Sequence, residues 1–487
     1  MNKIITIIGS GFSSLAAACY LAKAGCQVTV YEKNSQIGGR ARQYKNQEFL
    51  FDMGPTWYWM PDVFERFFAD FNQKPANYYT LEKLNPAYQV YYGLDDFIKI
   101  SSRLEEIYEL FEKEEKGSSD SLKKFLKQAE NNYNVAVKDI VYRPGISPLE
   151  LISPKTVTKL NQLFFDIRRQ IHKKFANPRL IKILEFPVLF LGAKPSNTPA
   201  MYNFMNWADF GLGTWHPKGG MHEVIKGMIK LAHSLGVKTH TNAGASKILV
   251  DQGKVQGIIV NGETITADYV VSGADYHHSE TLLDPSYRQY TEKYWDSRVF
   301  APSSLLFYVG FDKKFDNVAH HNLFFDTDFD QHARTIYDDL AWPEEPLFYA
   351  NFPSVSDETM APEGKENGFF LIPIAPGVED TQALRDQYFD IIMERLERLS
   401  GQNFRNHIIF KKSFCVDDFV SEYNSYKGNA YGMANTLKQT AFLRPNLRSK
   451  KVKNLYFTGQ LTVPGPDVPP ALISGKLVSQ LISKSIK

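Results

Sequence analysis

The chain has few cysteines, almost no net charge and no long apolar run. Its 487 residues include three cysteines, Cys19, Cys26 and Cys415, which form no CxxC pair and predict reduced, structural thiols in a cytosolic protein. The 56 basic and 54 acidic residues leave a formal charge of +2, which argues against a nucleic-acid partner. No apolar run approaches the roughly 18 residues that a membrane-spanning helix needs, so we expect a soluble or at most peripheral protein.

Two further features are missing. Met1 is followed almost at once by the first predicted strand, so no signal peptide is expected. The pairs His277-His278 and His320-His321 have no carboxylate or cysteine at ligand spacing, so no metal site is predicted. The length is sufficient for two or three associated domains with a large core.

The start of the chain has the pattern of a strand, a glycine turn, a helix and a second strand. Residues 4–8 form a short apolar run, as expected for a parallel strand buried on both faces. Gly9 and Gly11 allow a tight turn, and a helix over about 13–24 would place its positive end against a pyrophosphate. Glu32 follows the second strand at the interval of roughly 20 residues at which an acid binds a ribose diol.

This unit departs from the usual pattern at Ser14, where a third glycine is expected. Serine is the smallest polar replacement, so we expect the turn to survive. The alternative is an ordinary strand, turn and helix with an incidental acid. The predicted dinucleotide contacts in this unit are Gly9, Gly11, Phe12, Ser13, Ser14, Glu32 and Lys33.

A second glycine pair, Gly38-Gly39, comes directly after the predicted ribose acid and is followed by Arg40 and Arg42. A nicotinamide enzyme has no need of a second close backbone approach at this point, whereas extended FAD does. The two arginines can offset phosphate charge, although such a pair is also common in a solvated loop. FAD is therefore the predicted cofactor.

These residues, with others further along the chain, resemble the amino-oxidase-like flavoproteins and, within them, the bacterial phytoene desaturases. The resemblance covers nearly the whole chain in the expected order. It rests on Glu32-x5-Gly38-Gly39-Arg40, Asp52-x-Gly54-Pro55-Thr56, Met60-Pro61, Trp215-His216-Pro217-Lys218-Gly219-Gly220-Met221, Ala361-Pro362-Glu363-Gly364, Tyr426-x-Gly428, Phe442-x-Arg444-Pro445, Asn454-Leu455-Tyr456-Phe457-Thr458-Gly459, Pro464-Gly465 and Pro469.

The resemblance implies an α/β fold in which a Rossmann-like FAD-binding domain carries an inserted α+β substrate domain. The FAD-binding domain is expected over 1–78, 215–278 and 415–487, and the substrate domain over 79–214 and 279–414. The FAD contacts that it implies, beyond the first unit, are Gly39, Arg40, Gly54, Pro55, Thr56, Ala245, Gly459, Gln460, Asp467 and Val468.

The same family implies a carotene desaturase that converts phytoene stepwise toward lycopene. Removing hydrogen from a polyene requires a hydride acceptor, the flavin, and a dry tunnel that positions the chain. The expected tunnel lining is Trp57, Tyr58, Trp59, Trp207 and Trp215, for which ordinary core packing is the alternative. No catalytic acid or base is assigned, and the candidates near the substrate are Asp139, Arg143, Asp209 and His216.

Two positions depart from the family near the flavin. Gln460 stands where many relatives have an acid, and Asp467 stands where the desaturases usually have glycine. A carboxylate near the isoalloxazine would disfavour a reduced anionic flavin, so Asp467 is expected to tune or impair the enzyme. An exposed loop acid is the alternative.

The expected partners are a long-chain polyene drawn from the membrane and an electron acceptor, quinone or oxygen. A segment with clustered basic and aromatic residues, Phe164 to Phe175, fits a helix at the inner face of the cell membrane or an ordinary surface helix. Other functions stay open: a flavoenzyme acting on a hydroxylated or C30 carotenoid or a retinoid, a noncatalytic FAD- or isoprenoid-binding protein, and an amine oxidase.

Overall fold

The computed structural model describes residues 3–138, 140–147, 165–189 and 192–486. The strands are β1 (Ile4–Ile8), β2 (Gln27–Tyr31), β3 (Gln43–Asn46), β4 (Phe49–Asp52), β5 (Leu81–Lys83), β6 (Tyr88–Gly93), β7 (Asp96–Ile100), β8 (Trp215–Pro217), β9 (Lys238–His240), β10 (Ala245–Asp251), β11 (Lys254–Val260), β12 (Glu263–Thr266), β13 (Tyr269–Ser272), β14 (Ser303–Phe311), β15 (His321–Phe324), β16 (Phe348–Asn351), β17 (Glu366–Ile374), β18 (Ile408–Phe414) and β19 (Leu455–Phe457).

The helices connect these strands and cover the sheets. They are α1 (Phe12–Lys23), α2 (Pro61–Ala69), α3 (Leu104–Glu114), α4 (Ser118–Ala136), α5 (Ile167–His172), α6 (Pro178–Leu189), α7 (His222–Ser234), α8 (Tyr276–Thr281), α9 (Glu292–Asp296), α10 (Phe329–Tyr337), α11 (Gln382–Ser400), α12 (Val416–Tyr423) and α13 (Val468–Ile486). A helical turn at Phe204–Asn206 continues into a π-helix at Trp207–Gly211.

The first of the two main sheets is parallel, and its strand order is β19-β13-β1-β2-β9. The central strand β1 is flanked on both sides by strands that follow it in the chain, as in a dinucleotide-binding sheet. Ile5 of β1 is fully buried and pairs with Val28 and Tyr269. The predicted strand, turn, helix and strand of the first unit are therefore confirmed.

The second main sheet has seven strands in the order β18-β14-β17-β16-β15-β6-β7, and its only parallel pair among the described strands is β15 with β6. All nine residues of β14 are buried, because both faces of this strand are covered. The ring of Phe307 packs against Phe389 of α11 at 5.0 Å, whereas Tyr308 faces Phe51 and Tyr44 on the opposite side.

The chain reaches the parallel sheet in three visits, as the family resemblance implied. Its strands come from residues 4–31, 238–272 and 455–457, whereas the seven-stranded sheet takes β6 and β7 from before the second visit and the other five strands from after it. This arrangement agrees with an inserted substrate domain. The exact domain boundaries stay a prediction.

The last helix closes the fold against the first. α13 packs on α1 so closely that a Cβ at Gly475 would lie 2.3 Å from the Ser13 carbonyl oxygen. Among the described residues, no helix is both long and apolar enough to cross a bilayer. The three cysteine thiols are buried and free.

Candidate functional site

A deep cavity lies where the carboxyl ends of the parallel strands face the seven-stranded sheet. One part, here called the glycine end, is lined by backbone and charged groups, including Gly9, Gly11, Glu32, Gly39, Arg40, Asp275 and Gly459. The other part, the aromatic end, is lined by apolar side chains, including Trp57, Trp59, Phe186, Phe325, Phe329, Ala333, Leu347 and Phe348. Thr56 and Asp467 also line the cavity.

At the glycine end, the turn after β1 leaves room for a ligand beside the backbone. Gly9 has φ +85°, a region that favours glycine, and its N–H donates to the Tyr31 carbonyl oxygen at 2.8 Å. Gly11 precedes α1 in an extended conformation, and a Cβ there would meet no described atom within 4 Å. Any side chain at Gly11 would therefore enter the cavity.

Glu32 lies at the end of β2 with both carboxylate oxygens in use. Its Oε2 accepts from the Ser10 N–H at 3.1 Å and from the Ser10 hydroxyl at 2.6 Å, and its Oε1 accepts from the Asn34 N–H at 2.8 Å. The side chain is 4% exposed and lines the cavity. These bonds hold the carboxylate in the place where a ribose diol is predicted to bind.

Arg40 provides positive charge at the same end. Its Nη2 donates to the Ser425 hydroxyl at 2.8 Å and to the Asn429 carbonyl oxygen at 3.2 Å. Its Nε is buried and has no acceptor among the described residues. Burial lowers the Arg40 pKa, and the neighbouring Asp275 carboxylate opposes that shift.

Gln460 sits against this guanidinium. With its amide oxygen turned toward Arg40, it accepts from Nη2 at 3.1 Å and from the Gly432 N–H at 3.2 Å. A neutral amide here contacts Arg40 without cancelling its positive charge, whereas a carboxylate at this position would offset that charge.

The departure at Ser14 is matched by a glycine on the neighbouring strand segment. A Cβ at Gly273 would lie 2.0 Å from Ser14 Oγ, so the serine occupies the space that a side chain at residue 273 would need. The close packing of helix on sheet is retained. Ser14 lies behind the turn and does not line the cavity.

Most of the predicted FAD contacts line this cavity. They are Gly9, Gly11, Phe12, Ser13, Glu32, Lys33, Gly39, Arg40, Gly54, Pro55, Thr56, Gly459, Gln460, Asp467 and Val468. Ala245 does not, because it begins β10 and pairs with Val260 in a separate three-stranded sheet. Closer to the site, the Ala243 N–H donates to the Glu32 carbonyl oxygen at 2.8 Å.

The four catalytic candidates do not line the cavity where the structure describes them. Asp139 lies outside the described residues. Arg143 follows a 3-10 turn, Ile140–Tyr142, beyond the C-terminal end of α4. Asp209 accepts from the Tyr88 hydroxyl at 2.7 Å, and burial raises its pKa to about 8. His216 is 2% exposed and its Nε2 lies 2.9 Å from Asp357 Oδ2. Asp209 and His216 are thus parts of buried hydrogen-bond pairs in the core.

At the aromatic end, Trp57 and Trp59 line the cavity as expected, whereas Tyr58, Trp207 and Trp215 do not. Trp57 stacks on His321 with ring centroids 4.0 Å apart and planes 8° from parallel. The Trp59 indole N–H donates to the Thr214 hydroxyl at 2.8 Å. Tyr58 instead stacks on Phe64 of α2 at 4.1 Å, because its side chain points into the helix packing.

Several lining residues have no motif that would have identified them. Asp275 directly precedes α8, where its Oδ1 accepts from the His277 N–H at 3.0 Å, and it lies beside Arg40. Tyr337 and Tyr349 come from α10 and β16, which are distant in the sequence from the glycine turn after β1. Only the pairing of distant strands brings them to the cavity.

Comparison with known proteins identifies the family. The model of the family described as "Flavin containing amine oxidoreductase" matches residues 12–483. A carotenoid 3,4-desaturase from Haloarcula japonica is 39% identical over 99% of this chain and 98% of its own length. The chain belongs to this flavoprotein family and, within it, to the carotenoid desaturases. It is an FAD-dependent oxidoreductase that acts on CH–CH bonds and desaturates carotenoids.

Two further relatives have related names. A zeta-carotene-forming phytoene desaturase from Myxococcus xanthus is 30% identical over 98% of this chain and 93% of its own length. A 4,4'-diapophytoene desaturase from Staphylococcus haemolyticus is 30% identical over 99% of both chains. The crystal structure of an oxidoreductase from Methanosarcina mazei has a TM-score of 0.63 at 19% identity, covering 98% of this chain and 99% of that one, which supports the fold.

The glycine end fits FAD on two independent observations of the structure. The buried Arg40 Nε without an acceptor among the described residues suits a phosphate oxygen, and the open space beside Gly11 suits the close approach of a pyrophosphate. We therefore propose that Gly9, Gly11, Glu32 and Arg40 hold the nucleotide part of FAD.

Proposed function

We propose that this enzyme desaturates phytoene stepwise toward lycopene, and that the substrate lies in the aromatic end of the cavity. The observation that carries the proposal is the apolar lining that extends from the residues around Thr56 to α10. A saturated stretch of a long polyene matches such a lining because the chain has no polar groups to satisfy and the lining is mainly apolar. Bound flavin supplies the hydride acceptor.

The residues of the aromatic end exclude water and hold the chain. Three buried leucines line this end. Leu306 lies in β14, Leu323 in β15 and Leu347 directly before β16. The rings of Trp57 and Phe186, 5.7 Å apart, also line this end. A dry site of this kind positions an allylic C–H bond, and positioning is the main contribution that a hydride transfer from an apolar chain requires.

Desaturation at C3–C4 is a second candidate, favoured by one observation. The 39% identity to the carotenoid 3,4-desaturase exceeds the 30% identity to the zeta-carotene-forming enzyme, at similar coverage. A C30 substrate is a further variant, since the 4,4'-diapophytoene desaturase is also 30% identical. The three possibilities differ in substrate length and in the position of the bond, and all use the same cavity.

Membrane contact is part of the proposal, since the substrate class is lipid-soluble. Three apolar side chains, Ile146, Phe165 and Leu443, are 67%, 48% and 43% exposed. The segments that carry them are in contact. Next to Ile146, a Cβ at Gly145 would lie 3.5 Å from the Ala441 carbonyl carbon, close to Leu443 in the chain. The Ala200 N–H donates to the Phe165 carbonyl oxygen, and the nearby Tyr202 hydroxyl lies 3.3 Å from Thr440 Oγ1.

Basic groups flank one of these side chains. The Arg169 guanidinium lies 5.3 Å and the Lys173 ammonium 6.0 Å from the Phe165 ring centroid. Both cations suit an anionic lipid surface. The apolar residues Ile167 and Ile171 of α5 are buried in the protein, so we propose that the exposed Phe165 before this helix, and not its apolar face, meets the lipid. Quinone or oxygen is the proposed electron acceptor.

Product analysis tests this proposal. The FAD-loaded protein is incubated in liposomes with phytoene, with 4,4'-diapophytoene and with an acyclic carotenoid that is saturated only at C3–C4, and products are separated by chromatography. We expect neurosporene and lycopene chromophores from phytoene. Turnover of the third substrate alone would replace the proposal with 3,4-desaturation.

A further inference from the structure

Desaturation removes a hydride and a proton, and the proton needs an acceptor in the cavity. The described carboxylates at the glycine end are already engaged. Glu32 accepts three hydrogen bonds, Asp275 accepts from backbone N–H groups and lies beside Arg40, and Glu422 forms an ion pair with Arg42 at 2.8 Å. These groups serve the nucleotide side and are held in place by their partners.

Among the described residues that line the rest of the cavity, four ionisable groups are unsuited to accept a proton. His332 accepts from the Leu347 N–H and donates to the Pro373 carbonyl oxygen, both at 2.8 Å, so neither ring nitrogen is available. Burial lowers its pKa to about 4. Tyr337, Tyr349 and Tyr431 are phenols whose pKa values are raised by burial, so they keep their protons.

Asp467 is the remaining group. It lines the cavity, and its side chain is exposed to the cavity space. Oδ1 accepts from the Val468 N–H at 2.6 Å, and no described residue donates to Oδ2. The residue has φ +90°, where a residue with a side chain is strained. A carboxyl group held in a strained conformation, facing an apolar cavity, indicates a function.

The titratable neighbours of Asp467 line the same cavity. Burial raises the pKa of Tyr431 to about 12, and the charge of Asp467 contributes to the shift. The charge of Tyr431 acts in turn on Tyr349, whose hydroxyl lies 2.9 Å from Thr56 Oγ1. Thr56 and Asp467 both line the cavity, and both are among the predicted flavin contacts.

We propose that Asp467 is the base that receives the proton of the desaturation. This assignment rests on the proposed function, in that it needs a polyene in the aromatic end. As one C–H bond of the substrate gives its hydrogen and electron pair to the flavin, the adjacent C–H bond gives its proton to Oδ2 and its electrons form the new C=C bond. FAD is reduced, the polyene is oxidised by two electrons, and Asp467 is left as the neutral acid.

The surroundings suit a base with this task. Burial raises the Asp467 pKa, which makes the carboxylate a stronger base, while the Val468 N–H at the start of α13 opposes the shift and keeps the charged form accessible. The titratable groups facing it are Tyr431 and, beyond it, Tyr337 and Tyr349.

The test compares Asp467→Asn with the wild-type holoenzyme. Asparagine has the same shape and tolerates positive φ, so the variant is expected to fold and bind FAD. Anaerobic mixing with polyene-loaded liposomes follows the rate at which the flavin band bleaches. We expect a decrease of about 100-fold or more, the usual size of a lost general base. Asp120→Asn, a helix-start acid on the surface, is the matched control and should bleach at the wild-type rate.

The flavin midpoint potential separates a lost base from a changed driving force. Removing a nearby negative charge should leave the potential unchanged or raise it, which favours reduction. Slower bleaching at an equal or higher potential therefore supports a base. Bleaching at close to the wild-type rate, or a loss of rate that a lower potential accounts for, would overturn the assignment.

The same experiment is run with each carotenoid of the product panel. If wild type bleaches with a carotenoid other than phytoene, the proposed substrate is wrong, and the Asp467→Asn comparison is made with that carotenoid. The two proposals thus fail on different results: one on which substrate the wild type reduces, the other on the ratio of variant to wild-type rates.

Discussion

The two ends of the cavity are built in different ways. The glycine end uses backbone N–H groups and charges from the start of the chain, between Gly9 and Arg40, with Gly459 and Gln460 added after the last strand. The aromatic end combines Trp57, Trp59 and Phe186 with side chains from the segments between β14 and β17, including α10, and the seven-stranded sheet brings these distant segments together. The first end is a local motif, whereas the second depends on the whole topology.

This difference has a functional counterpart. Groups at the glycine end are fixed by several hydrogen bonds each, as expected for a cofactor that stays bound. The aromatic end presents mainly apolar surface, as expected for a substrate that enters and leaves. The first three predictions below each change one end of the cavity, and the last changes a buried acid outside it.

The largest effect is expected from Gly11→Val. The backbone at Gly11 is extended and unstrained, and the new side chain would meet cavity space instead of protein, so the variant should fold. It would occupy the place of the pyrophosphate and weaken FAD binding by at least about 100-fold, or about 2.7 kcal/mol. Flavin absorbance per folded protein measures this. Gly93→Val, at the end of β6, is the control and should stay yellow.

Arg40→Met should have the next largest effect. Losing charged hydrogen bonds to phosphate costs about 1.5–3 kcal/mol, so FAD affinity should fall by about 10- to 150-fold. Arg42→Met is matched in chemistry but its guanidinium bonds Glu422 and Tyr423, and Arg42 does not line the cavity. Isothermal titration with FAD should give near wild-type affinity for Arg42→Met, and equal losses in both variants would contradict the assignment of Arg40.

Ala333→Phe tests the aromatic end alone. Ala333 lies on α10, is 6% exposed and lines the cavity, so a phenyl ring there would fill substrate space. We expect polyene kcat/KM to fall by about tenfold, since overpacking costs about 1–3 kcal/mol, while FAD content stays unchanged. Arg334→Phe adds the same ring on the outer face of that helix and should leave turnover intact. Loss of FAD from Ala333→Phe would show that the two ends are not separable.

The smallest effect is expected from Asp209→Asn, and it should be one of stability. Burial raises the Asp209 pKa to about 8 from an ordinary value of 3.8. The folded protein therefore holds this proton more tightly than the unfolded chain, so the stabilisation is complete below about pH 4 and is lost as pH rises to about 8. Thermal melts should show wild type losing more stability than Asp209→Asn between about pH 4 and 8. Equal pH dependence would be inconsistent with the raised pKa.

The same contrast explains what the sequence could predict. The first strand-helix-strand unit and the glycine pair Gly38-Gly39 after it were predictable because their patterns lie in neighbouring residues. Gly9, Glu32 and Arg40 line the same cavity, as expected.

Other positions depended on contacts that no local pattern encodes. Ala245 was expected at the cofactor, but its pairing with Val260 holds it in another sheet. Asp209 and His216 were predicted near the substrate because of the segments in which they lie. In the structure, Asp209 is hydrogen-bonded to Tyr88 and His216 to Asp357, residues distant in the chain, and both pairs are buried in the core. Ser14 departs from the motif. The fold has room for its side chain because Gly273, which follows the distant strand β13, has no side chain where Ser14 Oγ lies.

The central claim is that one cavity holds FAD at the glycine end and a polyene at the aromatic end. An anaerobic titration tests it directly: phytoene in liposomes is added to the FAD-loaded protein while the flavin band and the polyene chromophore are followed together. The account predicts that the flavin bleaches and that one new double bond forms for each flavin reduced. A yellow protein that no carotenoid of the panel bleaches would contradict it.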